Sequence, residues 1–183
     1  MSKCLIVVDM QNDYCEGGPM AFDQSLGLIP KINRIRDHFE IVIFATDVHP
    51  DNHISFKKYG GKLPEHCVVG SYGSQIHQDL IVKPLDYIIT RGTLPEYDSE
   101  SIFYNADSIE NISKLKTILV SNKIKNLYFC GNGLDSIIFS SIIDAINYKF
   151  DCCILIDLVT FTHKFDECIK YLESIGAKIV NNL

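Results

Sequence analysis

Lys3-Cys4-Leu5-Ile6-Val7-Val8-Asp9 is an unbroken apolar run closed by a carboxylate, and it decides the fold. A strand without polar alternation is buried on both faces, as strands are in parallel sheets covered by helices on either side. Working outward, Glu40 to Asp47, Tyr87 to Arg91, Lys125 to Cys130, Cys152 to Asp157 and Ala177 to Val180 also read as strands, most of them similarly apolar. Between them, Ile29 to Phe39, Ile109 to Ser121, Leu134 to Tyr148 and Phe165 to Ser174 carry apolar residues at helical spacing, and Gly176 follows the last as a C-cap. The alternation predicts an α/β fold of three layers around a doubly wound, mainly parallel sheet of six strands. Val48 to Asp86, rich in Gly, Pro, His and Tyr, breaks the pattern, and so long a loop in a compact domain is expected to be functional.

A chain of 183 residues is expected to form one domain, spanning residues 1–183. With 46% hydrophobic and 22% charged residues it is neither disordered nor fibrous. Its formal charge of −6 is spread without a run of like sign, which argues against a nucleic-acid partner. Apolar runs such as Leu5 to Val8 and Ile154 to Ile156 fall far short of the ~18–20 residues of a membrane helix, so no membrane partner is expected. The opening apolar run is too short for a signal peptide, and seven scattered cysteines suit a reducing compartment, so a cytoplasmic location is expected. Cys152 and Cys153 read as core residues, and assembly into a homo-oligomer is left open.

In an open parallel sheet the ligand lies beyond the carboxyl ends of the strands, where strand order reverses. Those ends carry Asp9, Asp47, Arg91 and the turn Cys130-Gly131-Asn132-Gly133-Leu134-Asp135-Ser136, which should converge on one crevice. Three of the six histidines follow the second strand, as His49, His53 and His66. One carboxylate, Asp47, with three imidazoles suits zinc, iron or manganese and poorly suits calcium or magnesium. His38, His77 and His163 lack such company and read as ordinary surface or hydrogen-bonding residues. Asp9 beside Arg91 reads either as a general base or as a turn-stabilising carboxylate. A close Asp9–Arg91 ion pair is expected to hold Asp9 ionised at neutral pH.

These blocks resemble the isochorismatase-like cysteine hydrolases, and among them the nicotinamidases and pyrazinamidases, over essentially the whole chain. Val7-Val8-Asp9-Met10-Gln11-Asn12-Asp13-Tyr14 with Glu16-Gly17-Gly18 is similar to the family opening that carries the catalytic aspartate. Asp47, His49, His53 and His66 match the nicotinamidase metal site at all four positions. Thr90-Arg91-Gly92-Thr93 falls where the family has Lys-Gly, and Cys130 to Ile137 falls where it has the nucleophile turn. The resemblance implies hydrolysis of nicotinamide to nicotinate and ammonia. Asp9 would deprotonate a helix-start cysteine, the turn at Gly133 would hold the oxyanion, and one divalent metal, zinc above all, would bind the ligand's nitrogen or a water.

The chain departs from that pattern where chemistry needs it most. Arg91 replaces the lysine, keeping its charge but not its compact geometry. The nucleophile position is Ile137, which has no thiol. Gly131 and Asp135 fix the register there, so Ser136 is a poor substitute, and Cys130 would point elsewhere. Tyr14 stands where a phenylalanine wall is usual, and Leu63 where a tryptophan is frequent. Three readings follow: an impaired amidohydrolase on a small carboxamide, a non-catalytic pseudoenzyme that binds a metal and a carboxamide or aromatic ligand, and a hydrolase using metal-bound water with Asp9 as base.

Overall fold

A computed structural model describes residues 2–105 and 114–181. It contains six strands, β1 (Lys3–Val8), β2 (Ile41–Asp47), β3 (Tyr87–Arg91), β4 (Asn126–Gly131), β5 (Asp151–Val159) and β6 (Lys178–Val180). Each neighbouring pair is parallel, in the order β3-β2-β1-β4-β5-β6. The α-helices are α1 (Ser25–Ile35), α2 (Lys114–Ser121), α3 (Phe139–Asn147) and α4 (Phe165–Ser174). The expected three-layer α/β architecture is present.

The uninterrupted apolar strands bury both faces because each feeds a different cluster. Cys4, Ile6 and Val8 of β1 join Leu115 and Leu119 of α2, Ile142 and Ala145 of α3 and Leu172 of α4. Leu5 and Val7 point the other way, toward Leu28, Ile29 and Ile32 of α1. Burying each such side chain contributes roughly 1.5–3 kcal/mol. Because β1 lies between β2 and β4, the order reverses beside it, and the ends of β1, β2, β3 and β4 meet there.

Two helices differ from the sequence reading for tertiary reasons. The first helix begins at Ser25 rather than Ile29, because Glu16 Oε2 accepts Ser25 Oγ–H at 2.6 Å and the Leu26 amide at 2.8 Å. It ends at Ile35 and passes into a 3₁₀ turn over Arg36–His38. The helix expected over Leu134 to Tyr148 opens as a π-turn, Leu134–Ile138, in which Asp135 leaves helical dihedrals. Asp135 is turned outward to accept the amides of Thr162, His163 and Lys164 ahead of α4. Of the helix expected from Ile109, residues 109–113 lie outside the described residues.

Gly131, at the end of β4, holds φ +110°, and a Cβ there would stand 2.2 Å from the Val8 carbonyl oxygen. Gly131→Ala is therefore expected to destabilise the protein by at least ~2–3 kcal/mol, combining left-handed strain with a clash against β1. A urea midpoint within error of the parent would disprove this tight approach.

Candidate active site

Asp9 leaves β1 in the left-handed region, φ +51°, a conformation that aspartate tolerates better than most residues. Its amide donates to Ala45 O at 2.9 Å and its carbonyl accepts Asn132 Nδ2 at 2.9 Å, so β2 and the turn after β4 fix its direction from both sides. Arg91, at the end of β3, reaches across β2 to place Nη2 2.5 Å from Asp9 Oδ2. The expected ion pair is thus present. The same guanidinium also lies 3.0 Å from Asp47 Oδ1, through Nη1, and donates to Ser99 O at 3.3 Å.

One cation between two buried carboxylates cannot compensate both fully, and their remaining partners separate them. Asp47 accepts Tyr14 O–H at 2.7 Å and faces His49, and with Arg91 these hold its carboxyl well below the usual range. Asp9 has Arg91 alone, and its Oδ1 is buried without a hydrogen-bond partner. Burial first, with Asp47 adding to it, raises Asp9 to about 7 despite Arg91. The expectation that the ion pair holds Asp9 ionised is therefore corrected: desolvation outweighs it, and the group titrates near neutrality.

The histidine tautomers show how the metal candidates are arranged. A carbonyl can only accept, so His49 Nδ1–H donates to Gly92 O at 2.9 Å, and His66 Nδ1–H donates to Pro64 O at 2.9 Å. Each then presents Nε2 to Asp47 Oδ2, at 3.1 Å and 4.0 Å. In the neutral tautomer, the His49 nitrogen sets a lone pair against a carboxylate oxygen. That contact calls for a cation, either a proton, consistent with the raised affinity of His49 for one, or a metal ion. Ligand atoms 2.0–2.1 Å from a tetrahedral ion stand roughly 3.3 Å apart, and second-shell carbonyls fix ligating imidazoles in this way. Asp47, His49 and His66 thus form a buried donor set that fits a divalent metal.

His53 departs from the four-ligand expectation. Its Nε2–H donates to Tyr97 O at 3.1 Å and its Nδ1 accepts Ser55 Oγ–H at 2.7 Å, so both nitrogens are engaged while the ring stacks on His49 at 4.0 Å. The structure does not bring it into the donor set.

A cavity of about 410 Å³ opens above these groups, with Asp9, Arg91, Asp47 and His66 in its lining. Tyr14, Leu63 and Ile137 also line it, and Tyr14 anchors Asp47. Cys130 is buried within the core, where desolvation pushes its thiol far up. Gly133 lies beneath the turn and its amide donates to Thr160 Oγ1 at 3.3 Å, so an oxyanion role there requires that bond to open. Ser136 lines the cavity with its Oγ bonded to Gly133 O at 3.2 Å.

Several contributors escape sequence reading. Gln11, fully buried, donates to Asp47 O and accepts the Asp47 amide, each at 2.7 Å, clamping the end of β2. Met20, Phe22, Asp98, Glu100 and Phe139 also line the cavity. The polar stretch after β3, Asp98-Ser99-Glu100-Ser101, was the available signal, since it too follows a strand end.

The isochorismatase domain model matches residues 3–179. This chain belongs to the isochorismatase family. It is 31% identical over 169 residues to the nicotinamidase of Acinetobacter baylyi, covering 84% of this chain and 78% of that one. It is 30% identical over 174 residues to the nicotinamidase of Escherichia coli, covering 85% and 81%. Among solved structures, the pyrazinamidase of Pyrococcus horikoshii in complex with zinc superposes with a TM-score of 0.90 at 29% identity, covering both chains fully. PnC1 of L. infantum in complex with nicotinate gives 0.91 at 28% identity, covering 98% of this chain and 92% of that one.

Metal analysis of protein purified without chelator is expected to find about one divalent ion per chain, lost in His49→Ala/His66→Ala and largely retained in His53→Ala. Equal metal in the parent and the double variant would refute the donor set. Loss in His53→Ala, with secondary structure intact, would return His53 to it.

Proposed function

We propose that this chain is a nicotinamidase-like member of its family that binds a small aromatic carboxamide over a divalent ion, zinc, and hydrolyses it poorly. One observation carries this reading: Ile137 lines the cavity at the turn before α3, where the family resemblance places the nucleophile. Relatives named as nicotinamidases, and a structural neighbour holding nicotinate, support the ligand class.

The residues present suit binding better than turnover. Asp9 Oδ1, buried and unpartnered, can accept an amide N–H, and in its protonated form the same carboxyl can donate to a carbonyl oxygen. Tyr14, Phe22 and Leu63 supply apolar walls for a flat ring. Asp47, His49 and His66 would hold the metal, which supplies an electrophilic site for a ligand nitrogen or a water. Arg91 keeps Asp9 in place, but with Ile137 at the nucleophile position Asp9 has no thiol to deprotonate. Removing the nucleophile from a concerted set costs up to ~10⁶ in turnover, while binding and electrostatics alone leave ~10³–10⁴ over water.

With nicotinamide as substrate, metal-loaded protein is expected to release ammonia at a small fraction of the rate of its cysteine-bearing relatives. Ile137→Cys should raise that rate at least tenfold, and adding Arg91→Lys should raise it further. The Cys variant is expected to lose about 1–2 kcal/mol of stability, since the smaller side chain leaves a void. Ordinary enzymatic turnover by the parent, abolished by Ser136→Ala, would identify a different nucleophile. The same turnover, unaffected by Ser136→Ala but abolished by chelation and by Asp9→Asn, would instead establish metal-dependent hydrolysis with Asp9 as base.

A further inference from the structure

The charge of the cavity lining is lopsided. Asp9, Asp47, Asp98, Glu100 and Asp135 contribute five carboxylates against one guanidinium, Arg91. Asp135 is occupied by the amides ahead of α4, and Asp9 and Asp47 share Arg91. Asp98 and Glu100 differ: both are exposed and neither forms a close ion pair among the described residues, although Asp98 lies within the field of Arg91. A divalent ion on Asp47, His49 and His66 would still leave the lining negative. The floor, meanwhile, offers a buried acceptor with nothing bound to it, Asp9 Oδ1.

We propose that this cavity selects a cationic aromatic carboxamide, with Asp98 and Glu100 as the residues that recognise its positive charge. The proposal rests on the carboxamide reading above and adds the charge of the ligand to it. Asp98 and Glu100 line the same cavity as Asp9, from the loop after β3, so a ligand whose amide is directed at Asp9 shares that space with both carboxylates. Arg91 Nη1 holds that loop through Ser99 O, so the two acids sit on a braced segment. An anionic carboxylate, including the product of amide hydrolysis, meets repulsion in the same field, which favours its release.

Calorimetric binding to the parent protein, with benzamides bearing a 3-aminomethyl, 3-hydroxymethyl or 3-carboxylate group, varies charge at nearly constant shape. Nicotinamide serves as the reference ligand. Each exposed pair is worth up to about fivefold in affinity, so the cation is expected to bind severalfold tighter than the neutral analogue, and the anion most weakly. Asp98→Asn/Glu100→Gln should bring the cation-to-neutral ratio close to one, as should ~1 M salt. Equal affinities for all three benzamides, or a cation preference that survives the double substitution, would overturn the proposal while nicotinamide binding kept the carboxamide reading intact. Failure of every ligand, nicotinamide included, would overturn both.

Discussion

Arg91 is the constraint on which the site depends. It ends β3, the outermost strand, yet its guanidinium reaches past β2 to the carboxylate that ends β1. Three charges are thereby buried together, an arrangement that costs several kcal/mol per ion in desolvation unless their geometry offsets it. The balance is incomplete because two acids share one base. Asp47 recruits Tyr14 and His49 and keeps its charge; Asp9 recruits nothing further and holds its proton up to about 7. A lysine could offer a compact charge here, but not one planar fork that spans two carboxylates and a backbone carbonyl.

The metal set and the empty nucleophile position are two consequences of one frame. Carbonyl acceptors at Gly92 and Pro64 turn His49 and His66 so that both Nε2 atoms look at Asp47, and Gln11 locks the backbone beneath it. Cys67, in the left-handed region at φ +47°, donates its amide to Asp13 Oδ2 at 2.7 Å and so anchors the loop carrying His66. All of this machinery orients groups around a ligand. Ile137 sits among them with no group that can attack a carbonyl, which is why the proposed function is carboxamide binding with little cleavage.

Much of the fold was legible because strands such as Leu5 to Val8 advertise two-sided burial, and because strand ends in such a sheet converge. Asp9, Asp47, Arg91 and the turn after β4 could be placed around one crevice on that basis, and the family resemblance added Ile137. What stayed illegible depends on which partners the folded chain brings together. The start of α1 is set by Glu16, the fate of His53 by Ser55 and the Tyr97 carbonyl, and the proton on Asp9 by a competition between burial and shared charge. Pairing Asp9 with Arg91 was readable from strand ends; that Arg91 would also serve Asp47 was not, since the strand order had first to be known.

A single guanidinium leaves Asp9 under-compensated, and a carbon-13 NMR titration of its side-chain carboxyl in metal-free protein measures this. The predicted result is a midpoint near 7 for Asp9, with Asp47 ionised throughout the neutral range. A midpoint for Asp9 at or below ~4, the ordinary carboxylate range, would show that Arg91 satisfies both acids and would contradict the account.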